Sequence, residues 1–167
     1  MPQKGVLFAG TVKSNLKYGA QKATDKEITK AASTAQVSEF IEQLEGKFDS
    51  TIAQSGANVS GGQKQRLSIA RALAKNPEIY IFDDSFSALD FKTDAKLRAA
   101  LFDETRDKTV MIIGQRIGTI QNADNIIVLD DGKIVGQGNH KVLLKTCEVY
   151  REIALSQLSE QELGETE

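Results

Sequence analysis

The chain has 167 residues, 40% hydrophobic and 26% charged, with a formal net charge of −2. That is the balance of one ordinary globular domain, able to bury roughly 70% of its unfolded surface, and its slight acidity excludes a nucleic-acid partner reached by bulk electrostatics. The lone Cys147 excludes an internal disulfide and reads as a small apolar helix residue, and no apolar run approaches the roughly 18 residues that span a bilayer.

In chain order, Met1-Pro2-Gln3-Lys4-Gly5 has no signal-like apolar stretch. Val6-Leu7-Phe8-Ala9 is apolar but too short for its period to be read. Thr11 to Gly19 predicts a helical turn closed by glycine. Thr24 and Glu27 form a capping box ahead of Ile28, Ala31, Ala32 and Ala35 at helical spacing. Val37, Phe40, Ile41 and Leu44 continue as a short helix ending near Gly46. Ser60 caps a helix reaching about Lys75, with Leu67, Ala70, Leu73 and Ala74 on its buried stripe, and Asn76-Pro77 stops it. Ile79-Tyr80-Ile81-Phe82 is a continuous apolar run between a breaker and carboxylates, the pattern of a strand buried on both faces. A helix from about Thr93 to Thr105 and the run Thr109 to Ile113 follow, and strand, helix, strand implies a right-handed parallel crossover. Asp131-Gly132 between Ile126–Leu129 and Lys133–Val135 signals a hairpin. One last helix runs from His140 through Tyr150 and Ile153, and the tail beyond Leu158 is acidic and frayed.

Two places carry chemistry. Ser60-Gly61-Gly62-Gln63 opens a helix with paired glycines, so backbone N–H groups can meet an anion with no side chain between, aided by a helix dipole worth about 0.3–1 kcal/mol. Alone, such a turn is more often merely flexible. Asp83 ends the first apolar strand, where carboxylates in open α/β sheets meet ligands and can hold Mg²⁺; a lone Asp there could equally cap the next helix. Read together, Ser60-Gly61-Gly62-Gln63-Lys64-Gln65-Arg66-Leu67-Ser68-Ile69-Ala70-Arg71-Ala72-Leu73 and Ile81-Phe82-Asp83-Asp84 resemble the signature and Walker B motifs of ABC transporter nucleotide-binding domains.

That resemblance spans about Met1 to Ser156. It implies an α/β fold: a P-loop NTPase (RecA-like) core with a mostly parallel sheet, plus the ABC helical subdomain. The division is then a partial ATP-binding domain over 1–158, with the helical subdomain at about 11–75, the remaining core at about 76–158, and an acidic tail at 159–167. The implied ligands are ATP and Mg²⁺. Ser60, Gly61, Gly62 and Gln63 would contact ATP held by a partner domain, Asp83 and the Q-loop residue Gln3 would serve magnesium, and Ser87, Ala88, Leu89 and Asp90 would form the D-loop. Val6 to Leu16 resembles the exporter pattern after the Q-loop. His140, in Gly138-Asn139-His140, resembles the family's Gly-Thr-His helix start and is read as structural.

Three positions depart from the family pattern. Asp84 stands where active members usually carry a Glu that positions the attacking water, and Gln115 where they commonly carry a His reaching the terminal phosphate. Both are degenerate catalytic positions. Gln54-Ser55-Gly56 falls where exporters often have Glu-Arg-Gly. No phosphate loop occurs: the Gly-Lys pairs at 46–47 and 132–133 each have Ile five residues before the glycine, at Ile41 and Ile127. The chain is therefore expected to be the C-terminal part of a domain beginning at the Q-loop. Alone it should lack ATPase activity, bind ATP weakly and self-associate through unpaired strand edges. In a full transporter the resemblance implies the degenerate half of a heterodimeric bacterial exporter of multidrug or lipid type. Its partners would be a second, non-identical ABC nucleotide-binding domain and an exporter's transmembrane domains, at the cytoplasmic face of the cell membrane, with ATP hydrolysed by the whole. A soluble non-transport ABC ATPase and a non-catalytic regulatory module are the alternatives.

Overall fold

The computed structural model describes residues 1–158, which fall into two units, Met1–Ile113 and one that begins at Gly114. The acidic tail at 159–167 lies outside the described residues.

In the first unit the apolar piece Val6–Ala9 is neither helix nor regular strand. Leu7 is buried while Val6 and Phe8 are exposed. Its backbone is paired by a side chain instead: Asn15 accepts from the Phe8 N–H at 2.9 Å and donates to the carbonyls of Phe8 (2.9 Å) and Thr11 (3.0 Å). At 1% exposure, Asn15 can be buried because these bonds satisfy it. The chain then enters β1 (Gly10–Thr11), which pairs antiparallel with β2 (Thr51–Ile52).

The helices start where their caps place them. Thr11 and Ser14 box the start of α1 (Val12–Lys17), and Thr24 and Glu27 box α2 (Asp25–Thr34) as expected. Helix α3 spans Ser38–Gln43, and α4 (Gly61–Ala74) is capped by Ser60. The face α4 buries is wider than the apolar stripe alone, because Gln65, Ser68 and Ile69 join Leu67, Ala70 and Leu73 in the interior. Leu16, Ile28, Ile41, Leu67 and Ile69 share the core with Phe82 and Leu97.

Strand β3 (Ile79–Asp83) pairs in parallel with β4 (Thr109–Ile113), from Ile79↔Thr109 to Asp83↔Ile113. Helix α5 (Phe91–Glu104) lies between them in sequence and starts slightly earlier than its apolar pattern indicates, because the Asp90 carboxylate caps the Thr93 N–H. The expectation that β3 is buried on both faces is corrected. Tyr80 and Phe82 point into the core, whereas Ile81 is 49% exposed and Met111 on β4 is 55% exposed. The two strands form a two-stranded sheet, and among the described residues of this unit only its Tyr80–Phe82 face is covered.

In the second unit, α6 (Ile117–Ile120) is followed by β5 (Ile126–Asp130) and β6 (Lys133–Gly138), an antiparallel hairpin. Its Asp131-Gly132 turn has φ of 46° and 72°, both positive, as a two-residue type I′ hairpin requires. The single last helix is also corrected. Helix α7 (His140–Thr146) and α8 (Glu148–Gln157) are separated at Cys147, whose φ of −124° and ψ of 106° are extended. The break lets Leu143, Cys147, Tyr150 and Ala154 enter one core with Ile117, Ile126 and Val128. Cys147 is thus buried between two helices rather than within one. The mixed α/β character is as expected; the parallel pairing is β3–β4, and the β1–β2 and β5–β6 pairings are antiparallel. Among the described residues no helix is long and apolar enough to cross a membrane.

Candidate nucleotide site

Ser60 is extended at φ −68°, ψ 163°, and its hydroxyl accepts from the Gln63 N–H at 3.2 Å while the Gln63 side-chain oxygen accepts from the Ser60 N–H at 2.9 Å. This reciprocal box uses Gln63 to fix the helix start, a role its sequence reading did not foresee. Gly61 and Gly62 supply the first two turn positions. A methyl group on Gly61 would meet no heavy atom within 4 Å, and one on Gly62 would lie 3.6 Å from the Ala88 carbonyl oxygen and 4.0 Å from Leu89 Cδ2. The N-terminus of α4 is therefore open in front and flanked by the 87–90 segment. There Leu89 is buried, Ser87 Oγ donates to the Asp84 carbonyl at 3.0 Å, and Asp90 caps α5. The hydrogen bond from the Thr93 side chain, followed by that from its backbone N–H, holds the Asp90 carboxyl below the usual carboxylate range.

The second group gathers at the end of β3. Asp83 is its last residue, exposed, with its N–H given to the Met1 carbonyl at 3.0 Å. Asp84 turns into the left-handed region, φ 43°, and donates its N–H to the Ile113 carbonyl at 2.8 Å. Asp is among the few residue types that tolerate this conformation. Gln3 reaches this turn, but its Nε2 lies 3.2 Å from Asp84 Oδ2, so the side chain meets Asp84 rather than Asp83. Gln115 belongs to the second unit, is exposed, and its carbonyl accepts from Gln157 Nε2 at 2.9 Å.

No group of three or more His, Cys, Asp or Glu side chains suited to a metal occurs among the described residues. The Asp84 carboxylate and the Gln3 amide, which meet, and the preceding Asp83 carry hard oxygen donors of the type that would suit Mg²⁺, an ion commonly held by one or two carboxylates with waters and substrate phosphates completing its shell. They would hold the ion against the phosphates, where its charge would stabilise the transferred group.

Sequence reasoning missed three supporting side chains. Asn15 carries the Phe8 backbone, as above. Gln65, 4% exposed, accepts from the Gly5 N–H at 3.2 Å and donates to the Ser85 carbonyl at 2.8 Å. Arg71 donates to the Val6 carbonyl at 2.7 Å and sits over Phe8, 5.5 Å from the ring centroid; burial lowers its pKa. The available signal was a polar residue on the core-facing stripe of an otherwise amphipathic helix. His140 is structural in geometry: it is buried, with Nδ1 2.7 Å from the Tyr150 hydroxyl.

A family model described as ABC transporter matches residues 1–87. An uncharacterized ABC transporter ATP-binding protein of Mycobacterium tuberculosis is 48% identical over 160 residues, covering 94% of this chain and 27% of that protein. The ATP-dependent lipid A-core flippase of Haemophilus influenzae is 44% identical over 154 residues, covering 92% and 26%. A bacterial Atm1-family ABC exporter with ATP bound superposes at a TM-score of 0.90 with 38% identity, covering 95% of this chain and 28% of its own. The chain thus spans about a quarter of the length of the relatives it matches.

Proposed function

The chain belongs to the ABC transporter family, and from that premise we propose that it forms the C-terminal part of the ATP-binding domain of an exporter. In this reading 11–75 is the helical subdomain and 76–158 the remaining core. The domain faces a second, non-identical nucleotide-binding domain head to tail, at the cytoplasmic face of a membrane that the transporter's other segments cross. Relatives named as an exporter and a lipid A-core flippase support the transport reading.

The observation that carries the proposal is the open start of α4 at Gly61-Gly62, with Ala88 and Leu89 beside it. Gly61 and Gly62 put no side chain of their own beside the first N–H groups of α4, so these suit the terminal phosphates of ATP held by the partner. The other half-site is weaker. Asp84 is one methylene shorter than the Glu its position resembles, and a general base must be within hydrogen-bond reach, a contribution worth about 10²–10⁴ in rate. Gln115 cannot become cationic, so it loses the charge-assisted part of a phosphate contact. This half would bind Mg-ATP stably and turn it over slowly, while hydrolysis runs in the site that Ser60, Gly61, Gly62 and Gln63 complete. A polypeptide of these 167 residues contains no phosphate-loop pattern, so in isolation it should not hydrolyse ATP.

The test is to replace the partner's catalytic Glu by Gln in the complete transporter and measure hydrolysis. Loss of nearly all turnover is expected; survival of most of it would reverse the assignment of fast and slow sites.

A further inference from the structure

We infer that Gln65 is a positioning residue that ties the signature helix to the segment carrying Gln3 and to the loop after Asp84, so that the half-site lent to a partner and the half-site kept by this chain move together. Its catalytic meaning rests on the proposed function. Gln65 lies in the second turn of α4, and its buried carboxamide hydrogen-bonds to backbone groups of two other segments. Its oxygen accepts from the Gly5 N–H at 3.2 Å; its nitrogen donates to the Ser85 carbonyl at 2.8 Å and lies 3.5 Å from the Gln3 carbonyl. These bonds span sequence separations of 60, 20 and 62 residues.

Both segments lead directly to the carboxylate group. Gln3 Nε2 is 3.2 Å from Asp84 Oδ2, and the fully buried Ser85 donates its hydroxyl to the Asp83 carbonyl at 3.3 Å. Packing leaves little slack, since a methyl on Gly5 would stand 2.7 Å from Ser68 Oγ. Only a side chain with an acceptor and a donor on one plane satisfies both segments at once. A shift of α4 on closing over a partner's nucleotide would pull on Gln3 and on the Asp83-Asp84 turn through one rigid amide.

Two variants separate the two halves of the link. Gln65→Leu removes donor and acceptor at similar volume; Gln65→Glu keeps the acceptor and loses the donor. In the full-length protein, hydrogen–deuterium exchange of Gln65→Leu should rise about tenfold or more at 3–8, where the Gly5 N–H reports directly, and at 84–88, with 61–74 unchanged. Gln65→Glu should free 84–88 while the Gly5 N–H stays protected. In turnover, Gln65→Leu should lower kcat about tenfold or more with KM for Mg-ATP within about threefold, and Gln3→Ala combined with Gln65→Leu should be no slower than the slower single variant. Unchanged exchange in both segments, or rate losses that multiply in the double variant, would overturn the link. A wild-type transporter assembled with its partner half that turns over no ATP would refute the proposed function and the coupling role together, whereas an active assembled wild type with multiplying losses would refute the coupling alone.

Discussion

Replacing Gly61 or Gly62 by Ala separates the demands of folding from those of the site. Both glycines lie in the first turn of α4, and neither has a φ in the left-handed range. A methyl on Gly61 enters open space, and on Gly62 it makes ordinary contact with Ala88 and Leu89 at 3.6 and 4.0 Å. The fold therefore has no steric objection, and the lost freedom of the unfolded chain stabilises each variant by about 0.4–1 kcal/mol. For a domain of this size that is a rise in Tm of about 1–4 °C. The site has the opposite interest. The methyl stands between the helix N–H groups and an approaching phosphate, and displacement by about 1 Å costs about 10²-fold in rate. The assay pairs thermal unfolding of the whole ATP-binding domain with steady-state hydrolysis by the assembled transporter. A melting point held or raised with turnover down about a hundredfold is expected. A melting point lowered by more than about 2 °C would refute the steric reasoning, and turnover above about a third of wild type would refute the anion-site reading.

Asp84→Glu, measured with the partner's site silenced, should raise turnover in the slow site, while the φ of 43° makes the variant about 0.5–1 kcal/mol less stable; no gain in rate would mean that side-chain reach is not what limits this site. Asn15→Ala removes the hydrogen bonds of the part-buried Phe8 N–H and carbonyl and should cost about 1–3 kcal/mol, so an unchanged denaturant midpoint would contradict the role given to Asn15. Burial lowers the His140 pKa, and burial pushes Tyr150 up to about 12, so both are neutral in the fold at pH 7. The unfolded chain then binds the extra proton first: stability from neutral His140 is complete above its ordinary value of about 6.5 and falls as pH drops from there toward the lowered folded value. Protection of the amides over 126–158, corrected for the intrinsic exchange rate at each pH, should fall between pH 7.5 and 5.5, and His140→Gln should flatten that dependence.

Local chemistry was legible in the residues themselves. The box at Thr24–Glu27, the Ser60 cap, the Asp131-Gly132 turn and the strand ending at Asp83 are written within a few positions, because caps, turns and hydrophobic periods act over one or two turns of chain. The candidate nucleotide site was read from two short motifs through their resemblance to those of ABC transporter domains. What the sequence could not determine depends on partners outside the local pattern, some near and some far along the chain. Val6–Ala9 is irregular because Asn15 pairs its backbone. Ile81 and Met111 are exposed because burial of a strand face depends on what lies across it, not on the strand's own residues. The meeting of Gln3 with Asp84, and of Gln65 with Gly5 and Ser85, likewise required the packing of α4 against two separate segments. The sequence by itself determined the caps, the hairpin turn and the family; only tertiary packing decided which of the candidate site groups touch, because hydrogen bonds across 60 or more residues are set by geometry that no local pattern encodes.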